Sequence, residues 1–185
     1  PESCGPATPA YEVKIVDPSS TETLPKGETG ELWVRGGHVI KGYLNRPEAT
    51  EETIVDGWLR TGDMAKMDED DFIYIVDRIK DMVLRGGENI YCAEVESAIF
   101  DHPAVSECTV FGVPDDRLGE EVGAAVFLGN NKLDATELRE HCRNLIASFK
   151  VPKYVWFMDE PLPRNASGKF LKRELREKLS INDSV

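Results

Sequence analysis

The chain is poor in everything that would mark it for nucleic acid, metal or membrane. Its 22 Lys and Arg face 34 Asp and Glu, a net charge of −12. Binding a phosphate backbone needs clustered cations, so this balance argues against nucleic acid as a partner and against an anionic membrane surface. No apolar run approaches the roughly 20 residues of a membrane span, so no transmembrane segment is expected. The four cysteines, Cys4, Cys92, Cys108 and Cys142, form no CxxC and keep no ligand spacing with His38, His102 or His141. No metal site is expected from them, and reduced thiols in a cytoplasmic protein are. GxGxxG, the nucleophile elbow and the zincin helix are all missing. No signal-peptide pattern opens the chain, and its start at Pro1 without a methionine leads to the expectation of a truncated or processed beginning.

What is present has a clear order. Hydrophobic residues make up 41% and charged residues 30%, the usual balance for a globular chain. Residues 1–76 read as mostly β. Tyr11 to Val16 and Gly30 to Arg35 alternate at period two, and Phe72 to Val76 follows an acidic turn at Asp68 to Asp71. Past Lys80 the texture changes to an α+β pattern. A helix is predicted over Ala93 to Asp101, stopped at His102-Pro103, with strands over Val105 to Val113 and Val122 to Leu128. Asp134 to Glu137 reads as a helix start, followed by an apolar stripe of Leu138, Cys142, Leu145, Ile146 and Phe149. A strand over Lys153 to Met158 and a helix over Phe170 to Leu179 complete the expectation. The expected fold class is therefore α+β: a β-rich piece at 1–76, a junction at 77–81, and a small compact α+β domain at 82–185.

Three motifs carry candidate chemistry. Asp63 ends Arg60-Thr61-Gly62-Asp63, where a carboxylate in a tight turn either accepts both hydroxyls of a ribose or bonds its own backbone. Arg78 and Lys80 stand at the change of texture; a guanidinium fork suits ribose or phosphate oxygens, and a solvated linker suits the same residues. Gly86-Gly87 permits a close ligand approach or a plain hairpin turn before a helix. Lys169 follows Ser167-Gly168 on what reads as a flexible loop. It is not a P-loop lysine, because that template needs Gly at Pro163 and Ser or Thr at Phe170. Such a lysine either offers charge to a developing oxyanion or caps the last helix.

Taken together and in order, these stretches resemble the adenylate-forming superfamily: acyl- and aryl-CoA synthetases, peptide-synthetase adenylation domains and luciferases. The resemblance rests on Gly30 to Gly36, Lys41 to Thr50, Gly57 to Asp63, Asp77 to Glu96, and Pro163 to Lys169. It implies that residues 1–76 close the large adenylation domain, that 77–81 is a hinge, and that 82–185 is a mobile domain. It implies a reaction in two halves, in which a carboxylate attacks the ATP α-phosphate to give an acyl-adenylate and pyrophosphate, and the thiol of coenzyme A then displaces AMP. On that resemblance Asp63 and Arg78 would bind the nucleotide, Lys80 would be the hinge, and Lys169 would serve adenylation. Gly86 and Gly87 would line the pantetheine tunnel. Asp77 departs from the Gly that many members carry there, and leaves Arg78 in place.

The resemblance also implies what must lie elsewhere. The glycine-rich phosphate loop, the acyl pocket and most of the hold on Mg²⁺ belong to a large N-terminal domain that this sequence does not contain. The expectation is a C-terminal fragment, inactive alone. Arg85 to Asn89 fits ligases of medium- or long-chain fatty acids, or of aryl acids, better than the Ser-Gly-His-Arg of short-acid enzymes. Fatty acids are favoured. A carrier-loading adenylation domain and a non-catalytic nucleotide-binding module remain as alternatives. Lys169 is also a candidate for acetylation, which would remove its charge.

Overall fold

The computed structural model describes residues 3–185, so the expectation about the start at Pro1 lies outside the described residues. Contacts divide the chain into two compact units, the first ending at Lys80 and the second spanning Asp81–Val185.

The first unit is an antiparallel sheet. Its strands are β1 (Tyr11–Val16), β2 (Thr29–Gly36), β3 (Ile54–Val55), β4 (Trp58–Met67) and β5 (Ile73–Arg78), with a short helix α1 (Pro47–Thr53) before β3. The order is β1-β2-β4-β3, and β5 also pairs with β4. Period-two alternation explains the packing. Ile15, Leu32, Ala65 and Ile73 meet in one apolar cluster. On β2, the alternate positions carry Glu31 and Trp33, both buried. The Lys14 ammonium lies over the rings of Trp33 and Trp58, and the Arg35 guanidinium also covers Trp58. The acidic turn forms as expected: Asp68 Oδ1 accepts from the N–H of Asp70 and of Phe72. Neither α1 nor β3 was legible in the sequence.

The second unit holds β6 (Val83–Arg85), β7 (Glu88–Ile90), α2 (Cys92–Phe100), β8 (Glu107–Asp115), β9 (Gly119–Phe127), α3 (Ala135–Arg143), β10 (Tyr154–Met158) and α4 (Lys172–Lys178). The sheet order is β10-β9-β6-β7 with β8 on β9, and the β10–β9 pair is parallel. Both faces are covered. Val122, Ala124 and Val126 of β9 share a core with Val95 and Ile99 of α2 and Leu138 of α3. Ala125, between them in sequence, belongs with Phe111, Trp156 and Leu175 of α4. Phe111 and Trp156 stack at 5.7 Å. Gly123 is required beneath them, because a Cβ there would lie 2.5 Å from Val113 and 2.9 Å from Trp156.

Some expectations are corrected. The stripe from Leu138 does not continue as one helix. α3 stops at Arg143 with Asn144 as cap, Cys142 O takes the N–H of Leu145 and Ile146, and Leu145 is 51% exposed. Residues Ser148–Lys150 form only a 3-10 turn. The last helix begins at Lys172, because Phe170 is held in a β-bridge with Arg164. The start of α3 is as read: Asp134 Oδ1 accepts from the N–H of Thr136 and Glu137. No helix among the described residues is long and apolar enough to cross a membrane.

Burial pushes the Cys108 thiol up to about 12 and the Cys142 thiol up to about 11. Raised thiols stay protonated and unreactive at neutral pH. Cys92 is fully buried, and Cys4 is exposed. A disulfide reagent is therefore expected to titrate one thiol quickly in the native chain and all four in urea; fast reaction of a second native thiol would contradict this packing. Leu138→Ala, emptying a fully buried position, is expected to cost about 2–5 kcal/mol in urea unfolding.

Candidate functional site

In the first unit the site is made by an interruption of the ladder. Glu31 pairs with Met64 and Trp33 with Arg60, so Leu32 alone stands opposite Thr61, Gly62 and Asp63. The surplus bulges out of β4, with Gly62 in the left-handed region at φ 72°. Asp63 is thus on a bulged strand and not in the free turn that its tetrapeptide suggested, since β5 continues the sheet beyond it. Its cross-strand partner is Arg78. The Arg78 guanidinium Nε lies 2.9 Å from Asp63 Oδ1, and Arg78 Nη2 donates to Thr61 O at 3.4 Å. A third of the Asp63 side chain stays exposed. The structure therefore brings together two of the residues that the sequence singled out. Glu31, Arg60, Thr61, Gly62, Arg78 and Lys80 line one open groove beside them.

Glu31 was missed by the sequence reading. It is 2% exposed. Trp33 Nε1 and Arg60 Nε donate to its Oε2 at 2.9 and 3.0 Å, and Gly62 N–H donates to its Oε1 at 3.2 Å. The available signal was the alternation itself, which puts a carboxylate on the same strand face as Trp33.

Lys80 sits in the 3-10 turn Ile79–Asp81, exposed, at the last position of the first unit. In the second unit, Gly86 and Gly87 are the two-residue turn of the β6–β7 hairpin, with φ 58° and 90°. Two positive φ values in such a loop are the primed-turn geometry that strand twist favours. Gly86 N–H donates to Leu118 O at 2.8 Å. Glu88 to Ile90 continue as a strand, and α2 starts only at Cys92. The hairpin base is fixed by Arg85, which grips buried Glu121 with Nε and Nη2 at 2.6 and 3.2 Å.

Lys169 is exposed, on a loop closed by its own hydrogen bonds. Asn165 Oδ1 accepts from Ser167 N–H, Ser167 Oγ and Lys169 N–H at 3.0, 2.8 and 3.0 Å. Asn165 N–H donates to Lys169 O, and Gly168 N–H to Asn165 O, both at 2.9 Å. Arg164 stacks on the Phe170 ring at 3.9 Å and pairs with Glu107. A side-chain amide here replaces a turn of backbone. Among the described residues, the Lys169 ammonium has no ion-pair partner, whereas Lys172, three residues on, has one. Lys172 Nζ lies 2.9 Å from Glu96 Oε1, which also accepts from Val110 N–H and Thr109 Oγ1. Burial alone would lower the Lys172 pKa; Glu96, then Cys92 and Asp81, outweigh it and raise it. No group of three or more His, Cys, Asp or Glu among the described residues is placed to hold a metal ion.

Two family models match this chain. The AMP-binding enzyme model covers residues 1–44, and the AMP-binding enzyme C-terminal domain model covers 94–169, ending on Lys169. The chain belongs to the adenylate-forming superfamily of AMP-binding enzymes. Asp63, Arg78, Lys80, Gly86 and Gly87 fall in the interval that neither model spans. Among relatives, a putative acyl-CoA synthetase of Bacillus subtilis is 48% identical over 96% of this chain and 32% of its own length. A feruloyl-CoA synthase of an Amycolatopsis species is 48% identical over 90% of this chain and 34% of its own length. A long-chain-fatty-acid–CoA ligase of Yersinia pestis is 46% identical over 95% and 31%. This superfamily chain thus spans about a third of the length of the curated relatives it matches. The ATP-bound structure of MatB from Rhodopseudomonas palustris matches 96% of it, and 35% of MatB, at 40% identity with a TM-score of 0.89. Ligand-free MatB matches the same share at 0.67. The matched region of MatB therefore differs in shape between its two structures.

Lys172→Met is expected to destabilise the second unit by about 2 kcal/mol, less than for a dry pair because the two side chains keep 24% and 27% exposure. The folded pKa of Lys172 is raised, so its contribution is complete below the ordinary value of 10.5 and is lost as pH rises through the folded value. Chemical unfolding followed through that alkaline window should show a steeper loss in wild type than in the variant. Equal slopes would remove the ion pair from the account.

Proposed function

We propose that this chain is the C-terminal part of an ATP-dependent, AMP-forming acyl-CoA ligase, acting on a carboxylic acid, ATP and coenzyme A. The single observation that carries the reading is the bulged strand that pairs Asp63 with Arg78 while leaving the carboxylate partly open. An acceptor carboxylate beside a guanidinium suits the two hydroxyls of a ribose next to a phosphate. In this reading Asp63 accepts from the ribose, and Arg78 holds ribose and phosphate oxygens.

Lys169 supplies the charge for the first half-reaction. Its loop is already folded on Asn165, so the ammonium is presented without ordering the loop first. It sits between the carboxylate oxygen that attacks and the phosphate oxygen that gains charge. The second half-reaction needs the same space for a thiol. Moving the whole second unit about Lys80 exchanges Lys169 for the Gly86–Gly87 turn, whose absent side chains leave a narrow passage for pantetheine. The difference between the two MatB structures supports such a motion in this superfamily. The large N-terminal domain, in cis, brings the phosphate loop, the acyl pocket and Mg²⁺, and this chain alone does not turn over.

The acid proposed is a medium- or long-chain fatty acid. The Yersinia relative, named for long-chain fatty acids, supports this; the Amycolatopsis relative, named for feruloyl, keeps aryl acids in the test. Acetylation of Lys169 would remove the charge and stop adenylation.

In the full-length parent, Lys169→Ala is expected to lower acyl-adenylate formation at least about a hundredfold while thioester formation from supplied acyl-adenylate stays within a few-fold. Product masses over a panel of fatty and aryl acids name the substrate. Equal loss in both halves would overturn the role given to Lys169. Bound ATP with no thioester from any acid would favour a carrier-loading or non-catalytic protein.

A further inference from the structure

We propose that Glu31 is a positioning residue for the nucleotide, fixing the β4 bulge that aims Asp63. The inference rests on the reading of Asp63 as the ribose ligand and adds a residue to it. A buried carboxylate is costly, and an apolar residue of similar size would serve a plain strand as well or better. Here the carboxylate is used at both oxygens. Oε2 takes Trp33 Nε1 and Arg60, and Oε1 takes the main-chain N–H of Gly62. Gly62 adjoins Asp63 and has φ 72°, a conformation that the ladder itself does not supply.

The neighbouring bonds show what is held. Thr61 Oγ1 donates to Leu32 O at 2.8 Å and accepts from Asp63 N–H at 3.1 Å. Across the gap between the pairs Glu31–Met64 and Trp33–Arg60, the strand partner offers only Leu32. Glu31 from the β2 side and Thr61 from within the bulge therefore replace the missing ladder bonds. Releasing Gly62 lets the peptide before Asp63 rotate, which swings the carboxylate away from Arg78 and from a ribose.

The discriminating change is Glu31→Gln. Both native oxygens accept, so an amide NH2 must face a donor, either Gly62 N–H or the Trp33–Arg60 pair. In the full-length protein this variant is expected to raise KM for ATP about tenfold, with KM for acid and for CoA unchanged. A residue that only supported the fold would not single out ATP. In an Asp63→Ala background, the added change should shift KM for ATP by less than about twofold, because Glu31 acts through Asp63. Effects that multiply, or a Glu31→Gln enzyme with unchanged KM for ATP, overturn the proposal. An Asp63→Ala enzyme with unchanged KM for ATP overturns the ribose reading itself, and the inference with it. Glu31→Asp keeps the charge beside Arg60 but withdraws the oxygen from Gly62. It gives the same split if Glu31→Gln does not fold.

Discussion

A carboxylate buried at Glu31 is tolerable only because donors surround it, and everything local to the groove beside Asp63 follows from where those donors lie. Two come from side chains, Trp33 and Arg60, and one from the main chain at Gly62. Removing a carboxylate from water costs several kcal/mol unless such bonds replace the solvent. The strand therefore cannot shift register without stranding the charge. That constraint fixes the bulge, the bulge fixes the pairing of Asp63 with Arg78, and the pairing fixes the entry to Lys80. The second unit uses the same arrangement. Glu96 gathers Val110 N–H, Thr109 and Lys172, and Glu121 gathers Arg85.

Strand alternation and helix starts were open to a sequence reading because each is a local property. The bounds of β1 are those read from Tyr11 to Val16, and the Asp134 cap forms with its expected donors. The errors arise where one particular hydrogen bond or strand pairing decides, whether near or far in sequence. Asp63 looked like a turn residue because nothing in its tetrapeptide announces β5 as a neighbour. Leu145 continued a helical stripe on paper, yet the Asn144 cap turns the chain and leaves it exposed. The Lys169 loop read as flexible, and one amide oxygen accepting three bonds closes it.

Buried side chains that matter were less visible than exposed ones. Lys169 stood out by its setting of small residues, whereas Lys172 was not singled out within the helix predicted over Phe170 to Leu179. Only the fold shows that, among the described residues, Lys169 has no ion-pair partner while Lys172 is committed to Glu96. The same holds for Glu31 against Asp63: one is an acceptor for the protein, the other keeps an open side.

The Asn165 turn also bears on how this loop meets other chains. The N–H groups of Asn165, Ser167, Gly168 and Lys169 are all engaged inside the loop, as are the carbonyls of Asn165, Gly168 and Lys169. An exposed strand edge invites other chains to extend it. With those groups engaged, this hairpin presents little free edge for a stray peptide to zip onto.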